Sequence, residues 1–544
     1  MNLVTVQTEP YDDQRPGTAG LRKRVDVVRQ RHYLENFVQS VLRTCFPRGS
    51  TLVVGGDGRF FNAKAIQTIV RIGAAHGLAR LIIGRQGWLS TPAAAHLIRH
   101  HDADGGLILT ASHNPGGPKG DFGVKINVRG GGQASAAVAE EIWRTASQLR
   151  EYAYVEADPI ALDEIATTQM IGETRIDIVD PVDDYRDLQA GLFDFDAIRT
   201  LLTGNFRFRF DALNAITGPY AHRLLVDELG APADSIVNAT PLADFGGGHP
   251  DPNPVDAAGL VATMGAESTF DFAAASDGDG DRNMILAPGL VVSPGDSLAL
   301  LVAHARSVPG YREGLTGVAR SMPTARAVDR VAARLGIPCY ETPTGWRYFS
   351  TLLQSGRITL CGEESFGTGS THVREKDGLW AVLFWLNVLA VTRQSVAQLV
   401  HAHWQQFGRD FYARHDYTVQ SRSVADDLMS ALGKRVGKLA GERAGSLQIA
   451  EARRFDYTDP VDASVTMNQG FMVHFTDGAR AVLRLSGTGT GGATLRVYLD
   501  RHLHGDIACH QRDRHAVLAD VAFAANAIAR IDAFTGLTAP SAVI

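Results

Sequence analysis

Short β-branched runs alternate with helical patterns from the N-terminus to about Val400, and this alternation constrains the fold more than any other feature. The runs include "TLVVGG", "ARLIIG", "GGLILT" and "RITLCG". Between them, "TPAAAHLIRHH" and "TARAVDRVAARLG" carry apolar residues at helical spacing, and the second stretch ends at Gly336, a natural helix stop. The pattern predicts α/β domains.

The C-terminal part of the chain has a different pattern. The stretch "FMVHFTDGARAVLRLSG" contains two alternating runs around Asp477 and Gly478, which predicts an antiparallel hairpin in an α+β domain. A length of 544 residues suggests three or four domains. We expect domains at 1–184, 185–302, 303–408 and 409–544, with no low-complexity segment and no short-period repeat.

Composition and segment lengths exclude several classes of protein. A net charge of -6, with Lys and Arg dispersed, argues against a nucleic-acid partner. Cys45, Cys339, Cys361 and Cys509 form no CxxC pair, which favours reduced thiols over a disulfide framework or a zinc site. The N-terminus does not resemble a signal peptide, and "LWAVLFWLNVLAV" is too short to span a bilayer and predicts a buried helix. We therefore expect a cytoplasmic protein without a membrane partner.

The first chemical stretch is "LILTASHNPGG", which places Ser112 at the C-terminal end of a predicted strand. Open α/β sheets present loop residues to ligands at this edge. His113 adds a titratable imidazole, and the Pro-Gly-Gly turn lets the backbone approach a ligand closely. On this motif alone, a catalytic serine and a serine that only caps a turn are about equally favoured. The stretch is not a G-x-S-x-G elbow, so a serine hydrolase is disfavoured.

The second stretch, "SDGDGDR", sets Asp277, Asp279 and Asp281 on a glycine loop. Alternate side chains of an extended segment share a face, so three hard oxygen ligands can converge on Mg²⁺ or Ca²⁺. Arg282 and Pro288 stand where an EF-hand needs Gly and Glu, which disfavours calcium sensing. Three carboxylates leave coordination positions for a phosphate oxygen, as in phosphoryl transfer. A solvated acidic turn is disfavoured because the carboxylates repel one another.

The third stretch, "CGEESFGTGSTHVREKDG", groups Glu363, Glu364 and Ser365 on a loop that follows a predicted strand. A carboxylate that binds adjacent sugar hydroxyls discriminates between epimers, because the wrong epimer leaves a buried group without a partner. An acidic helix N-terminus explains the same residues equally well.

The fourth stretch, "RLSGTGTGGATLRVY", is a Ser/Thr/Gly loop between two predicted strands, with Arg484 before it and Arg496 after it. Hydroxyls, bare backbone amides and a guanidinium fork favour a phosphate site. The loop lacks the Walker A ending, and a plain hairpin tip is the alternative.

Together, the four stretches carry the parts of one reaction, phosphoryl transfer. Almost end to end, the chain resembles the phosphoglucomutases of the α-D-phosphohexomutase superfamily. The resemblance rests on "YDDQRPGTAGLRKRV", "VVGGDGRFF", "LTASHNPGGPKGDFGVKIN", "DFGGGHPDPNP", "SDGDGDRNMIL", "GVARSMPT", "YETPTGWRYF", "CGEESFGTGS", "REKDGLWAVL" and "RLSGTGTGG". Ala19, Lys119 and Arg347 depart from the usual residues of the family, and the resemblance is thin between Asp416 and Val473.

The resemblance implies four domains around a central cleft: three related α/β/α domains and a C-terminal α+β domain like the TATA-binding protein. It implies that phosphorylated Ser112 transfers its phosphoryl group to glucose monophosphate, forming glucose 1,6-bisphosphate. α-D-glucose 1-phosphate and D-glucose 6-phosphate would thereby interconvert. One Mg²⁺ would be held by Ser112, Asp277, Asp279 and Asp281.

The resemblance also implies roles for residues around the cleft. The substrate-binding residues would be Arg282, Thr344, Gly345, Glu363, Ser365, Arg484, Ser486, Gly487, Thr488 and Arg496. The candidates for proton transfer are His113, Lys125 and Lys376, and Arg22 would offset phosphoryl charge. We expect a lysine crowded by Mg²⁺, Arg22 and Arg282 to have a lowered pKa.

Several alternatives stay open. Within the superfamily they are a phosphomannomutase and a phosphoglucosamine mutase. Outside that activity they are a metal-dependent phosphatase and a non-catalytic relative that binds sugar phosphate. We expect a monomer or a weak homo-oligomer that binds small-molecule sugar phosphates.

Overall fold

The structure is a computed structural model that describes residues 2–17, 19–165, 168–486 and 493–544. Its strands and helices form three consecutive α/β domains and a C-terminal antiparallel domain, as the sequence predicts.

The first domain is built on a seven-stranded mixed sheet. The strands of the domain, of which β1 and β7 lie outside this sheet, are β1 (Asn2–Gln7), β2 (Leu21–Arg24), β3 (Thr51–Gly56), β4 (Arg80–Trp88), β5 (Gly105–Leu109), β6 (Asp121–Val128), β7 (Glu151–Glu156), β8 (Thr168–Ile171) and β9 (Thr174–Val179). Its helices are α1 (Val25–Val28), α2 (Tyr33–Cys45), α3 (Asn62–His76), α4 (Thr91–His100) and α5 (Ala136–Gln148). The sheet order is β2-β6-β5-β3-β4-β9-β8, and β1 pairs with β7 in a separate ribbon.

The second and third domains have smaller sheets. The second contains helices α6 (Pro181–Leu192), α7 (Phe195–Leu202), α8 (Thr217–Ala221) and α9 (Ala258–Thr263), and strands β10 (Phe208–Asp211), β11 (Ile236–Val237), β12 (Phe272–Ala275), β13 (Met284–Ala287) and β14 (Leu290–Val291). The third contains helices α10 (Pro294–Ala303), α11 (Ala327–Leu335), α12 (Trp346–Gln354), α13 (Gly378–Thr392) and α14 (Val396–Phe407), and strands β15 (Val318–Ser321), β16 (Cys339–Thr342), β17 (Leu360–Gly362) and β18 (Thr368–Ser370).

The same strand order occurs in all three α/β domains. The orders β6-β5-β3-β4, β13-β12-β10-β11 and β18-β17-β15-β16 correspond to one another. In each, a central strand pairs in parallel with two neighbours, and one of those neighbours pairs with an antiparallel strand. The loops 110–120, 276–283 and 363–367 therefore occupy equivalent positions, each joining a parallel strand to its antiparallel partner. These loops carry the first three chemical stretches.

The C-terminal domain is an antiparallel sheet covered by helices. Its strands are β19 (Arg409–Val419), β20 (Arg443–Ala444), β21 (Leu447–Arg454), β22 (Tyr457–Thr458), β23 (Val465–Thr466), β24 (Phe471–Phe475), β25 (Arg480–Ser486), β26 (Ala493–Leu503) and β27 (Ala542–Val543). Its helices are α15 (Arg422–Arg435), α16 (Ile507–His510), α17 (Arg514–Ala529) and α18 (Ile531–Thr535). The sheet order is β20-β21-β24-β25-β26-β19-β27. The predicted hairpin is confirmed, since β24 and β25 pair across Asp477 and Gly478.

The buried apolar side chains show how the domains pack. One continuous cluster includes Val53, Phe210, Val318 and Trp380 and so joins the three α/β domains, whereas the C-terminal domain has a cluster of its own. The predicted buried helix is α13, whose side chains are almost all inaccessible. Among the described residues no single helix is long and apolar enough to cross a membrane, and the pair α13 and α14, which would satisfy both criteria together, bends by 85°.

Two of the three predicted domain boundaries lie inside helices, and the third lies between a helix and a strand. Residue 184 lies within α6, residue 302 lies within α10, and residue 408 lies between α14 and β19. All four cysteines are free thiols, as predicted.

Candidate active site

The four chemical stretches meet at one cavity of about 700 Å³. Its volume is in the range of about 300–1,000 Å³ that is common for small-molecule sites. The predicted residues that line it are Arg22, His113, Lys125, Arg282, Thr344, Gly345, Glu363, Ser365, Lys376, Arg484, Ser486 and Arg496. Gly487 and Thr488 lie outside the described residues. Ser112 and the three aspartates lie beneath the cavity wall, each at most 1% exposed.

Ser112 lies on the loop after β5 and joins the first domain to the second. Its Oγ donates a 2.8 Å hydrogen bond to Oδ2 of Asp277. Its amide donates to Oγ1 of Thr110 at 2.7 Å. The φ of Ser112 is 54°, a left-handed conformation that costs a non-glycine residue about 1–2 kcal/mol. Hydrogen bonds from neighbouring groups must hold this strained serine in place.

Arg59 is the principal group that holds the serine loop. Its guanidinium donates to the carbonyl oxygen of Ser112 at 2.7 Å and to that of Asp121 at 3.0 Å. It also pairs with Asp57, and both side chains are inaccessible to solvent. Oδ2 of Asp57 in turn accepts a short hydrogen bond from Oγ1 of Thr110. Arg59 thus fixes both ends of the turn that presents Ser112.

The three aspartates can hold a metal ion. One carboxylate oxygen from each of Asp277, Asp279 and Asp281 lies within 4.8 Å of the others. Among the described residues, Oδ1 of Asp279 is buried and accepts no hydrogen bond, and Oδ1 of Asp281 is buried with only the ammonium group of Lys376 close to it, at 3.2 Å. Buried carboxylate oxygens without partners are costly, and a hard divalent cation would satisfy them. Burial and the charges of the other two aspartates raise the pKa of Asp277 well above its usual range.

Lys125 and Lys376 bridge the aspartates and the cavity. Lys125 Nζ lies 2.5 Å from Oδ2 of Asp279 and 2.9 Å from Oδ2 of Asp281, and Lys376 Nζ lies 3.2 Å from Oδ1 of Asp281. Both lysines have a raised pKa next to these carboxylates, and the lowered pKa expected for a lysine beside bound Mg²⁺ stays a prediction. Burial lowers the pKa of each lysine, but the adjacent carboxylates outweigh burial and raise it above its usual value.

The third candidate for proton transfer behaves differently from the lysines. The pKa of His113 is well below its usual value because the ring is buried and close to Arg282 and Arg22. Its Nδ1 lies 3.5 Å from Oγ of Ser112. Arg22 turns unpaired guanidinium nitrogens into this region, since its Nε and Nη1 make no hydrogen bond to any described residue.

The third loop contributes two carboxylates with different partners. Oε1 of Glu363 accepts from the amide of Gly345 at 3.1 Å, and its Oε2 lies 3.6 Å from Nζ of Lys376. Glu363 lines the cavity and can bind hydroxyls there. Glu364 instead accepts from Oγ1 of Thr344 and from the hydroxyl of Tyr498, each at 3.3 Å. Glu364 therefore connects the loop 363–367 to the C-terminal domain.

Two arginines form the cationic part of the C-terminal wall. Arg484 on β25 and Arg496 on β26 face each other in the strand register. Arg484 donates to the hydroxyl of Tyr498 at 3.3 Å, and Nε of Arg496 lies 3.7 Å from Oδ1 of Asp416. Paired guanidinium groups at a cavity wall suit a phosphate ester.

Sequence patterns did not reveal several residues of the site. Arg59 lies in "VVGGDGRFF", a stretch that carried the resemblance but suggested no role. Glu375 is fully buried and accepts from Nε2 of Gln133 at 3.0 Å, and burial raises its pKa to about 7. Thr91 donates to Oδ2 of Asp279 at 2.6 Å. No local spacing signals these contacts, because each joins parts of the chain that are distant in sequence.

Comparison with known proteins gives one consistent result. The phosphoglucomutase/phosphomannomutase α/β/α domains I, II and III match residues 13–153, 183–289 and 294–407, and the phosphoglucomutase-1 C-terminal domain matches residues 409–541. A phosphoglucomutase from Rhizobium radiobacter is 49% identical over 99% of this chain and 100% of its own length. The chain belongs to the phosphoglucomutase/phosphomannomutase family. Phosphoglucomutase-1 from Homo sapiens, another relative in the family, is 47% identical over the full length of both chains.

Solved structures of the family agree. The open form of the exocytosis-sensitive phosphoprotein pp63/parafusin, a phosphoglucomutase from Paramecium, superposes with a TM-score of 0.90 at 41% identity, covering 100% of this chain and 99% of that one. A putative phosphomannomutase from Thermus thermophilus shares the fold, with a TM-score of 0.69 at 22% identity over 95% of this chain and 99% of that one. The chain is thus an enzyme of the sugar-phosphate mutase family, with the expected four-domain fold.

Proposed function

We propose that this enzyme interconverts α-D-glucose 1-phosphate and D-glucose 6-phosphate, with Ser112 as the phosphorylated residue. The observation that carries the proposal is the 2.8 Å hydrogen bond between Oγ of Ser112 and Asp277, next to Oδ1 of Asp279, a buried carboxylate oxygen that accepts no hydrogen bond from any described residue. This arrangement lies against a cavity whose far wall carries Arg484 and Arg496. A hydroxyl at one side and a phosphate clamp at the other suit a sugar that carries two phosphates in turn.

Each transfer balances between serine and sugar. The bond between Oγ of Ser112 and phosphorus breaks and Oγ takes up a proton, while a bond from a sugar hydroxyl to phosphorus forms and the hydroxyl proton passes to a base. The intermediate is glucose 1,6-bisphosphate, which must turn over in the cavity so that its other phosphate can return to Ser112. Enclosure by residues of all four domains favours transfer to sugar over transfer to water.

We further propose that the cation is Mg²⁺, one per chain, held by Asp277, Asp279, Asp281 and the phosphoryl group on Ser112. Carboxylate and phosphate oxygens are hard ligands of the kind that Mg²⁺ prefers, and bound Mg²⁺ would offset charge on the transferring group. Lys125 and Lys376 neutralise the same carboxylates in the structure. We infer that these lysines turn towards the phosphoryl oxygens once a cation is bound.

The remaining residues would bind three different parts of the substrate. Arg22 and Arg282 would face the reacting phosphate, and Glu363, Ser365, Thr344 and Gly345 would contact the sugar. Arg484, Ser486, Gly487, Thr488 and Arg496 would hold the distal phosphate. His113, Lys125 and Lys376 remain the candidates for proton transfer. Separately, we propose domain boundaries at residues 184, 302 and 408. We also propose that the enzyme is cytoplasmic and is a monomer or a weak homo-oligomer.

One assay separates the alternatives. Purified protein is given glucose 1-phosphate, Mg²⁺ and a trace of glucose 1,6-bisphosphate, and glucose 6-phosphate and free phosphate are followed together. A mutase produces glucose 6-phosphate, a phosphatase releases phosphate, and a non-catalytic relative does neither. Mannose 1-phosphate and glucosamine 1-phosphate, each tested alone, show whether the enzyme prefers another hexose.

The assignment of Ser112 has its own test. Ser112→Ala should abolish turnover and incorporation of radiolabel from glucose 1,6-bisphosphate, while the far-ultraviolet circular dichroism stays unchanged. Ser147→Ala is the control, because that hydroxyl donates only to the carbonyl of Arg144 on α5. Label in Ser112→Ala at the wild-type level would show that another residue is phosphorylated.

A further inference from the structure

A group of histidines lies away from the cavity, where α4 meets α6. His96 and His100 are one helical turn apart on α4, and His101 follows directly. Asp184 is in the first turn of α6, the helix that leads into the second domain. Residues at i and i+4 lie on the same face of a helix, so α4 presents two imidazoles side by side. Neither the proposed reaction nor its substrate site uses any of these residues.

The side chains are close enough to share one ion. One ligand atom from each of His100, His101 and Asp184 lies within 4.8 Å of the other two. The ring of His100 is centred 5.5 Å from that of His96 and 5.0 Å from that of His101. Ligands at about 2.0–2.2 Å from a tetrahedral Zn²⁺ are roughly 3.5 Å apart, so closure around an ion requires movements of about 1 Å. His100 is exposed and can make this movement.

One of these imidazoles also has a buried nitrogen that needs a partner. Nε2 of His101 is inaccessible to solvent and makes no hydrogen bond within the described part of the chain. A buried polar atom without a partner costs about 1–3 kcal/mol, and a bound cation would satisfy it.

We propose that His100, His101 and Asp184, with His96 as a further ligand, form a second metal site that selects Zn²⁺ or a similar borderline transition-metal ion. Imidazole nitrogens with one carboxylate are a characteristic zinc donor set. The aspartate triad, in contrast, offers only the oxygen ligands that Mg²⁺ prefers. The two sites therefore differ in the ion that each selects.

An ion at this junction would connect two parts of the enzyme. At its N-terminal end, α4 contacts the aspartate loop, because the amide of Thr91 donates to the carbonyl of Asp279 at 2.9 Å. At its C-terminal end, α4 would be joined by the ion to α6. The hydroxyl of Tyr185 on α6 donates to Asp377 at 2.5 Å, which extends the connection to the third domain. The ion would thus fix the position of α4 relative to α6 and stabilise the folded enzyme by mass action.

The test measures metal binding by the full-length protein in excess Mg²⁺, which keeps the aspartate triad occupied. Zn²⁺ is titrated against a chromophoric chelator, and Co²⁺ is used separately to record a visible spectrum. The variants are His100→Ala/His101→Ala and Asp184→Asn. His222→Ala is the matched control, since it removes a partly exposed imidazole that has only one carboxylate, Asp227, 3.4 Å away.

We expect wild type and His222→Ala to bind one Zn²⁺ tightly, with a raised midpoint of thermal unfolding and a tetrahedral Co²⁺ spectrum. Asp184→Asn should bind about tenfold or more weakly, and the double variant should lose both the spectrum and the thermal shift. Circular dichroism without Zn²⁺ checks that each variant is folded. Wild type that fails to compete with the chelator, or a double variant that binds as wild type does, would overturn the proposal.

His249→Ala tests the other histidine-containing cluster, and loss of the Co²⁺ spectrum in that variant would show that the ion binds at His249, Asp251 and Asp256 instead, which would also overturn the proposal.

Discussion

The strained conformation of Ser112 makes activity depend on Arg59, and Arg59→Lys tests that dependence. Lysine keeps a positive charge next to Asp57 but lacks the planar fork that reaches two backbone carbonyls at once. The lost bonds are those to the carbonyl oxygens of Ser112, at 2.7 Å, and Asp121, at 3.0 Å.

The expected magnitude follows from two opposing energies. A hydrogen bond from a charged donor contributes about 1.5–3 kcal/mol. The left-handed φ of Ser112 stores about 1–2 kcal/mol, which favours relaxation once the bond is lost. Without the Ser112 bond, the uncompensated strain of about 1–2 kcal/mol should reduce the productive population of the loop, and with it the turnover, by about 6- to 30-fold, at 1.4 kcal/mol for each factor of ten.

Two measurements check this prediction. The first is the rate at which glucose 1,6-bisphosphate phosphorylates Ser112, and the second is amide hydrogen exchange in residues 110–117. The matched control is Arg480→Lys, because Arg480 is equally buried and donates to two backbone carbonyls, those of Met322 and Thr324, both at 2.9 Å. Only Arg59→Lys should accelerate exchange in the serine loop. A phosphorylation rate within about twofold of wild type, with unchanged exchange, would refute the argument that strain at Ser112 is held by Arg59.

Three further predictions concern other parts of the molecule. Glu363→Gln should lower kcat/KM for glucose 1-phosphate by about tenfold and narrow its preference over mannose 1-phosphate, and an unchanged preference would assign the sugar hydroxyls to other residues. Arg496→Ala should lower kcat/KM by about ten- to a hundredfold but still allow phosphorylation of the serine, and near wild-type kinetics would exclude it as the phosphate clamp. Burial, with Arg330 and His304 nearby, lowers the pKa of His403 to about 4. The unfolded chain therefore binds this proton more readily than the folded protein does, and protonation of His403 reduces the free energy of unfolding as pH falls from 6.5 towards 4. His403→Leu should therefore reduce by about 3 kcal/mol the stability lost between pH 7 and pH 4 in urea unfolding, whereas His401→Leu, on the exposed face of the same helix, should not.

Local patterns were sufficient to place many elements of the fold. Helical spacing and the stop at Gly336 predicted α11, and the alternating runs around Asp477 and Gly478 predicted the hairpin of β24 and β25. The glycine loops that carry Asp277 and Glu363 were recognisable for the same reason. Turn chemistry and side-chain periodicity act over a few residues, so they can be recognised in a single sequence.

Long-range strand pairing brought these elements into one site, and no local pattern encodes it. The matching orders β6-β5-β3-β4, β13-β12-β10-β11 and β18-β17-β15-β16 have no short sequence repeat behind them, yet they put three loops at equivalent positions around one cavity. Tertiary packing also determined the pKa values of the titratable groups in the site. The pKa of Lys125 is raised because Asp279 and Asp281, both more than 150 residues away, lie within 3 Å of its ammonium group. Burial and Coulomb energies depend on three-dimensional neighbours, which the order of residues along the chain does not specify.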